Sequence, residues 1–224
     1  MIRLLLVRHG VTEWNQAGRY QGHHDISLTD LGREQARQLG VRLTSEDIDA
    51  VYSSDLSRAR ETASLAMQAR DALPIFETPA LREMSFGAWE GLRHDEVARK
   101  FPDDWSAWVR DQISARPSGG ESLGDLRSRL ADFYQSVAPP PKVKGEPRDW
   151  FTYRAAGQAV NSEDSRTLLV VTHGGPVRVL LTLLLDIPIE RYWRFSVRPA
   201  SLTIFDVHPE GAIAEVIGDT SHLG

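Results

Sequence analysis

The chain of 224 residues contains no cysteine. That excludes disulfides and any zinc site built on thiolates, and it fits a reducing, cytoplasmic setting. Excess positive charge is also missing: 26 Lys and Arg face 31 Asp and Glu, a formal net charge of −5. Nucleic-acid-binding domains usually carry the opposite sign, so no nucleic-acid partner is expected, and any anion site must be a local cluster of Arg and His. Long apolar runs are missing as well. The first, Met1-Ile2-Arg3-Leu4-Leu5-Leu6-Val7, stops at Arg8 and is too short for a membrane span or a signal-peptide core. It reads as a buried strand beginning at the first residue, so neither a targeting segment nor a membrane partner is expected. There is no internal repeat, no His-x-x-x-His spacing and no dense carboxylate cluster, and the pair His23-His24 reads as polar loop. No metal and no cofactor are therefore expected. What remains is an ordinary globular composition, 41% hydrophobic and 25% charged, long enough for one domain with a large core.

Four apolar runs each end in an abrupt polar turn. Residues 2–7 lead to Arg8-His9-Gly10, and residues 50–52 to Ser53-Ser54-Asp55. A weaker run at 75–76 leads to Leu81-Arg82-Glu83, and residues 168–171 lead to Thr172-His173-Gly174-Gly175. Short apolar runs bounded by turns read as buried strands. Helices fit between them. Leu31, Ala36, Leu39 and Leu43 form one candidate stripe; Leu56, Ala59, Ala63 and Ala66 form another, with Ser54 or Asp55 placed to cap it. Pro176 suits the first turn of a helix through Val179, Leu180, Leu183 and Leu184. This alternation predicts an α/β three-layer sandwich, a mainly parallel central sheet flanked by helices, with residues 201–207 and 212–217 as a late strand pair. Residues 92–138 read as a small helical cap of two or three helices. Residues 139–166, with three consecutive prolines and few aliphatics, read as a flexible insertion; bulky Trp150, Phe151 and Tyr153 keep a lid or contact segment open as the alternative.

In open α/β sheets ligands bind beyond the carboxyl ends of the strands. Those ends carry this chain's unusual residues: Arg8 and His9, then Arg58, then Glu83, then His173. Arg58 falls in the first turn of its helix, where a cation meets the positive end of the helix dipole unless an anion sits there. Taken singly, each has a plainer reading. A His after a strand is commonly a hydrogen bonder, an Arg on a helix is commonly solvated, and Glu83 is commonly an ion-pair partner, with Arg82 adjacent. Together they describe a rim of cations and imidazoles suited to phosphate.

At this point the residues become familiar. Leu6-Val7-Arg8-His9-Gly10 with Thr12-Glu13-Trp14-Asn15 resembles the signature of the histidine phosphatase superfamily, with its phosphoglycerate mutase-like fold. Tyr20-Gln21-Gly22, Leu28-Thr29, Leu31-Gly32 and Gln35-Ala36 continue the likeness. So do Tyr52-Ser53-Ser54-Asp55-Leu56 with Arg58-Ala59 and Glu61-Thr62-Ala63, then Leu81-Arg82-Glu83, Phe86-Gly87 and Trp89-Glu90-Gly91. Gly119-Gly120-Glu121-Ser122, Thr172-His173-Gly174-Gly175 and the ending Asp219-Thr220-Ser221-His222-Leu223 complete it. The likeness spans nearly the whole chain except 139–166. It implies His9 as the nucleophile that becomes phosphohistidine. Arg8, Arg58 and His173 would form the pocket for phosphoryl oxygens, with Asn15 and the Gly174 N–H as further donors, and Glu83 would be the general acid. Gln21, Gly22 and Arg82 would line the substrate pocket. Phosphoryl transfer needs positioning and charge stabilisation above all, which two guanidiniums supply. A nucleophilic His must be unprotonated on its attacking nitrogen, and a carbonyl near Gly10 is the expected partner of the other. His173 must donate, which a bound dianion favours, and Glu83 must hold a proton to act as acid.

Within the family the motif set is similar to the phosphatase branch, containing alpha-ribazole, phosphoserine and broad-specificity phosphatases. The expected activity is metal-independent hydrolysis of small phosphomonoesters. The alternatives are a cofactor-dependent phosphoglycerate mutase and a non-catalytic binding protein. Such mutases carry a longer insertion with paired arginines after the acid; here residues 89–119 are short and Arg99, Arg110 and Arg116 are scattered among Asp95, Asp103, Asp104 and Asp111. Phe86, Trp89, Trp105 and Trp108 would either stack on a substrate ring or fill core. Self-association as a homodimer stays open.

Overall fold

The computed structural model describes residues 1–70, 73–137, 165–208 and 211–224. The chain runs β1 (Ile2–Arg8), α1 (Glu13–Gln16), α2 (Asp30–Leu43), β2 (Ala50–Ser54), α3 (Ser57–Met67) and β3 (Ile75–Thr78). Then come α4 (His94–Lys100), α5 (Pro102–Arg110), α6 (Leu123–Val137), β4 (Arg166–Thr172), α7 (Gly174–Leu184), β5 (Leu202–His208) and β6 (Gly211–Asp219). The six strands form one sheet in the order β3-β2-β4-β1-β5-β6. The strands from β3 to β1 are mutually parallel, while β5 runs antiparallel to β1 and β6 antiparallel to β5, so the sheet is mixed. The expected late strand pair is β5 and β6.

Alternation along the strands builds two cores. Leu4, Leu6, Leu168, Val170 and Phe205 face one way and pack with Leu126, Leu130 and Phe133 of α6 and Val177 and Leu180 of α7. Leu5, Val7, Leu169, Val171 and Ile204 face the other way, onto Leu39 and Leu43 of α2 and Ala59, Ala63 and Ala66 of α3. This is the signature of a sheet covered on both faces. The expected stripe on α2 is shifted. Leu31 is 55% exposed, and Gly32, four residues before Ala36, takes the inward position. Leu31 stands five residues from Ala36 and therefore turns away from the stripe. The cap of α3 also differs from expectation. Leu56 occupies it without a side-chain bond, and the Asp25 carboxylate from a preceding loop accepts both the Ser57 N–H (2.8 Å) and the Ser57 hydroxyl (2.7 Å).

The segment expected as a cap divides. The helix α6 lies on the sheet, with Tyr52 of β2 meeting Phe133 edge-on at 5.7 Å. Trp89 and Trp108, at 0% and 5% exposure, extend the same core past α4 and α5. Their rings meet at 5.8 Å, so these two indoles fill core and are not a platform for a substrate ring. The expected insertion at 139–166 lies outside the described residues up to 164, and Arg166 already belongs to β4. Among the described residues no helix is long and apolar enough to cross a membrane.

Candidate active site

The parallel strands deliver the site. β1 and β4 are neighbours in register, Arg8 opposite Thr172, so His9 and His173 leave the sheet side by side. Their rings lie 5.1 Å apart, edge to face. β2, on the other side of β4, leads into α3 and Arg58. β3 leads through a short turn to Glu83. The chain then leaves His9 through Gly10, where backbone meets backbone. A Cβ on Gly10 would sit 2.4 Å from the Gly32 carbonyl oxygen, and one on Gly32 would sit 2.2 Å from that of Val11. The Gly10 N–H donates to Thr62 Oγ1 (3.0 Å), whose hydroxyl donates to the Arg58 carbonyl (2.7 Å). The loop of His9 and the helix of Arg58 are thus bolted together.

His9 is 2% exposed. Its Nδ1 lies 2.6 Å from the Gly10 carbonyl oxygen, the type of partner expected from the sequence. A carbonyl only accepts, so Nδ1 carries the proton and Nε2 keeps a free lone pair. Burial, then the charges of Arg58 and Arg8, hold the imidazole neutral well below its ordinary range. His173 is also neutral, through burial first and then Arg58, His9 and Arg8. Its Nδ1 accepts from Arg58 Nε (3.2 Å), which leaves Nε2–H to donate to Ser54 Oγ (2.9 Å). The expected protonated donor is therefore a state that His173 reaches only when a dianion alongside offsets those cations.

Arg58 is fully buried, the opposite of a solvated helix residue. Its two terminal nitrogens donate to the carbonyls of His24 and Gly22, 2.8 Å each. Gly22 holds that carbonyl in place from a left-handed φ of +52°, where a Cβ would also strike Glu90. Arg8 gives one nitrogen to the Val197 carbonyl at 2.7 Å, while its Nε is buried without a partner. Burial lowers its guanidinium to about 10, with Arg178 and Arg58 adding to the effect and Glu83 opposing it. An arginine in that position wants an anion.

Glu83 accepts the Met84 N–H on Oε1 (2.9 Å) and the Gly175 N–H on Oε2 (3.1 Å). Pro176 has no N–H, so within the first turn of α7 the Gly174 N–H remains for a ligand. Asn15 anchors α1 instead of standing free. Its Oδ1 accepts from the Thr12 N–H and hydroxyl, which still leaves the amide NH2 to donate. Gln21 is buried, and its Oε1 lies 3.0 Å from Thr12 Oγ1, competing with Asn15 Oδ1 for the one hydroxyl proton. Arg82 is tied bidentately to Asp55, at 2.7 and 2.5 Å, so Asp55 and not Glu83 is its ion-pair partner. Sequence reasoning missed Ser54, Thr62 and Arg178. Arg178, four residues along the helix from Gly174, would stand 3.2 Å from a Cβ placed there, beside Arg8; its helical spacing from the HGG turn was the available signal. Among the described residues no group of three or more His, Asp or Glu could hold a metal.

A neutral imidazole with one free nitrogen, set among arginines and a carboxyl at the ends of the parallel strands, is the equipment of a phosphoric monoester hydrolase of the histidine phosphatase type. Comparison with known proteins agrees. The chain belongs to the histidine phosphatase superfamily (branch 1), whose profile matches residues 4–220. It is 31% identical over 224 residues to phosphoserine phosphatase 1 of Hydrogenobacter thermophilus, covering 100% of this chain and 95% of that one. It is 34% identical over 206 residues to the adenosylcobalamin/alpha-ribazole phosphatase of Salmonella typhimurium, covering 92% and 91%. The crystal structure of the alpha-ribazole phosphatase from Shigella flexneri superposes with a TM-score of 0.80 at 30% identity, over 97% of this chain and 96% of that one.

Proposed function

We propose that the protein hydrolyses small phosphomonoesters through a phosphohistidine on His9, without a metal. The observation that carries this reading is the Nδ1 bond of His9 to Gly10, which leaves Nε2 unprotonated in a site where the buried Nε of Arg8 has no partner among the described residues. In the first half-reaction the Nε2 lone pair attacks phosphorus. The bond from phosphorus to the ester oxygen breaks, and Glu83 gives its proton to that oxygen. Arg8, Arg58, His173, Asn15 and the Gly174 N–H take the charge of the transferring group. In the second half-reaction water attacks phosphorus, its proton passes to the Glu83 carboxylate, and the P–N bond breaks. Inorganic phosphate leaves and His9 returns neutral.

Water as acceptor is supported by how the arginines beyond Glu83 are used. Arg93 and Arg99 both pair with Asp95, and Arg116 pairs with Asp125. A mutase needs cations there to retain a doubly phosphorylated intermediate, and these three are engaged by carboxylates, Asp95 serving two of them. For the substrate, the relatives named above support phosphoserine and alpha-ribazole phosphate, with sugar phosphates as a further class. Phosphate release from these, from 3-phosphoglycerate and from para-nitrophenyl phosphate, without added metal, is the test. We expect release from several, ranked by kcat/KM. Isomerisation of 3-phosphoglycerate without release would overturn the phosphatase reading in favour of a mutase.

A further inference from the structure

Glu83 stands on a turn, not on a helix or strand, yet a general acid must reach the leaving oxygen within hydrogen-bond distance. Something has to hold that turn. Its carbonyls are captured one after another. Arg129 of α6 donates from one terminal nitrogen to the carbonyls of Ala80 (2.8 Å) and Arg82 (3.0 Å), and from the other to that of Glu83 (3.3 Å). The Thr172 hydroxyl, one residue before His173, takes the Leu81 carbonyl at 2.5 Å. His23 Nε2 lies 2.9 Å from the Glu83 carbonyl on the other side. The remaining Arg129 donors go to Glu121, Nε to Oε1 at 3.2 Å and the second terminal nitrogen to Oε2 at 2.9 Å. A guanidinium has five N–H donors in a fixed fork, and each has an acceptor here. Glu121 Oε2 also accepts the Ser85 N–H at 2.9 Å.

An arginine stapling a loop is common. What points beyond that is where these bonds fall. They land on Ala80, Arg82, Glu83 and Ser85, so they bracket the acid on both flanks and at its own carbonyl. Among the described residues the Glu83 carboxyl itself accepts two hydrogen bonds, both from backbone N–H groups, of Met84 and Gly175. Its position is therefore set through the main chain. We propose that Arg129, braced by Glu121, is the positioning residue for proton transfer by Glu83. It touches neither substrate nor the reacting atoms, and acts by fixing the turn that carries the carboxyl. The proposal rests on Glu83 being the proton donor.

The test compares kcat/KM for an alkyl phosphate, phosphoserine, with that for para-nitrophenyl phosphate, whose leaving group needs little protonation. Wild type, Arg129→Lys, Glu83→Gln and the double variant are measured. Lys keeps the charge but lacks the fork. We expect Arg129→Lys to lose about tenfold or more on phosphoserine and no more than about threefold on the aryl ester. We expect the double variant to match Glu83→Gln alone, because the two changes remove one function. Equal losses of Arg129→Lys on both substrates, or losses that multiply in the double variant, would overturn the proposal. Equal losses for Glu83→Gln on both substrates would instead remove the acid assignment on which it rests. Should Arg129→Lys melt below the assay temperature, Glu121→Gln is put through the same comparison, with the same two outcomes.

Discussion

A histidine attacks phosphorus only through a nitrogen without a proton, and at His9 that condition is met by one contact, Nδ1 to the Gly10 carbonyl at 2.6 Å. Replacing His9 by Ala is expected to cut turnover by roughly a thousandfold or more while the melting curve keeps its cooperativity. Turnover retained in a folded variant would remove His9 from the mechanism. The two buried imidazoles also set a pH dependence of stability. Both resist protonation in the native state, chiefly through burial, whereas the unfolded chain binds protons below about pH 6.5. The unfolded state then holds more protons, so stability falls as pH falls. The loss runs from about pH 6.5 down to the native values, at up to about 1.4 kcal/mol per pH unit per histidine. Asp125, held at about 2 by Arg116, adds its own loss only below the ordinary carboxylate range. Urea unfolding in phosphate-free buffer at pH 7.5 and 5.5 would show this drop; equal free energies at the two values would contradict the neutral assignment. Most residues of the candidate site are legible at this scale, because they follow apolar runs at strand ends and the structure brings them together. Thr62 and Ser54 are not, since their contacts come from neighbours distant in sequence; Arg178 could have been found only from its helical spacing to Gly174, and the Arg82 pairing to Asp55, from another strand end, is likewise hidden.

Elements place these residues through contacts that composition does not reveal. The register of β1 against β4 sets the two imidazoles side by side, and Gly10 lets the chain pass directly under α2. Here propensity and packing make opposite forecasts. Ala is a better helix former than Gly by about 0.5–1 kcal/mol, so Gly32→Ala in α2 would stabilise if the helix alone decided. A Cβ 2.2 Å from the Val11 carbonyl oxygen has no flexible neighbour to displace. Gly32→Ala is therefore expected to destabilise by about 1–3 kcal/mol in urea unfolding. A gain in stability would show that the loop after His9 yields. Helix and strand order is readable from periodicity, and so is the buried face of α3; on α7 Val179 and Leu180 are buried as expected, but Val177 and Leu181 take the inward positions expected of Leu183 and Leu184. The exposed Leu31 and the capping of α3 by Asp25 are not readable. A shift of one residue decides the first, and a loop distant in sequence supplies the second.

Across the whole molecule the charge is negative, yet the site gathers Arg8, Arg58 and Arg178 around one carboxyl, Glu83. That concentration of cations on an acidic protein suits a small dianion better than a polyanion. It also accounts for charge stabilisation by side chains alone. Chelators are expected to leave phosphate release unchanged, and vanadate, a mimic of the transferring group, to inhibit it. Loss of activity with chelator, restored by added metal, would contradict this. The two-faced sheet was readable from alternation within the strands. The antiparallel direction of β5 relative to β1 was not, since residues 201–207 read as a strand in either direction.

The central claim is a covalent bond between His9 Nε2 and phosphorus. It is tested most directly by mixing the enzyme with a reactive phosphomonoester, quenching under alkaline conditions within the first turnover, and locating the phosphoryl group by mass spectrometry. A phosphorylated peptide carrying the group on His9, formed and lost at rates compatible with turnover, is the expected result. Steady release of phosphate with His9 unmodified throughout, or with the group on another side chain, would contradict it.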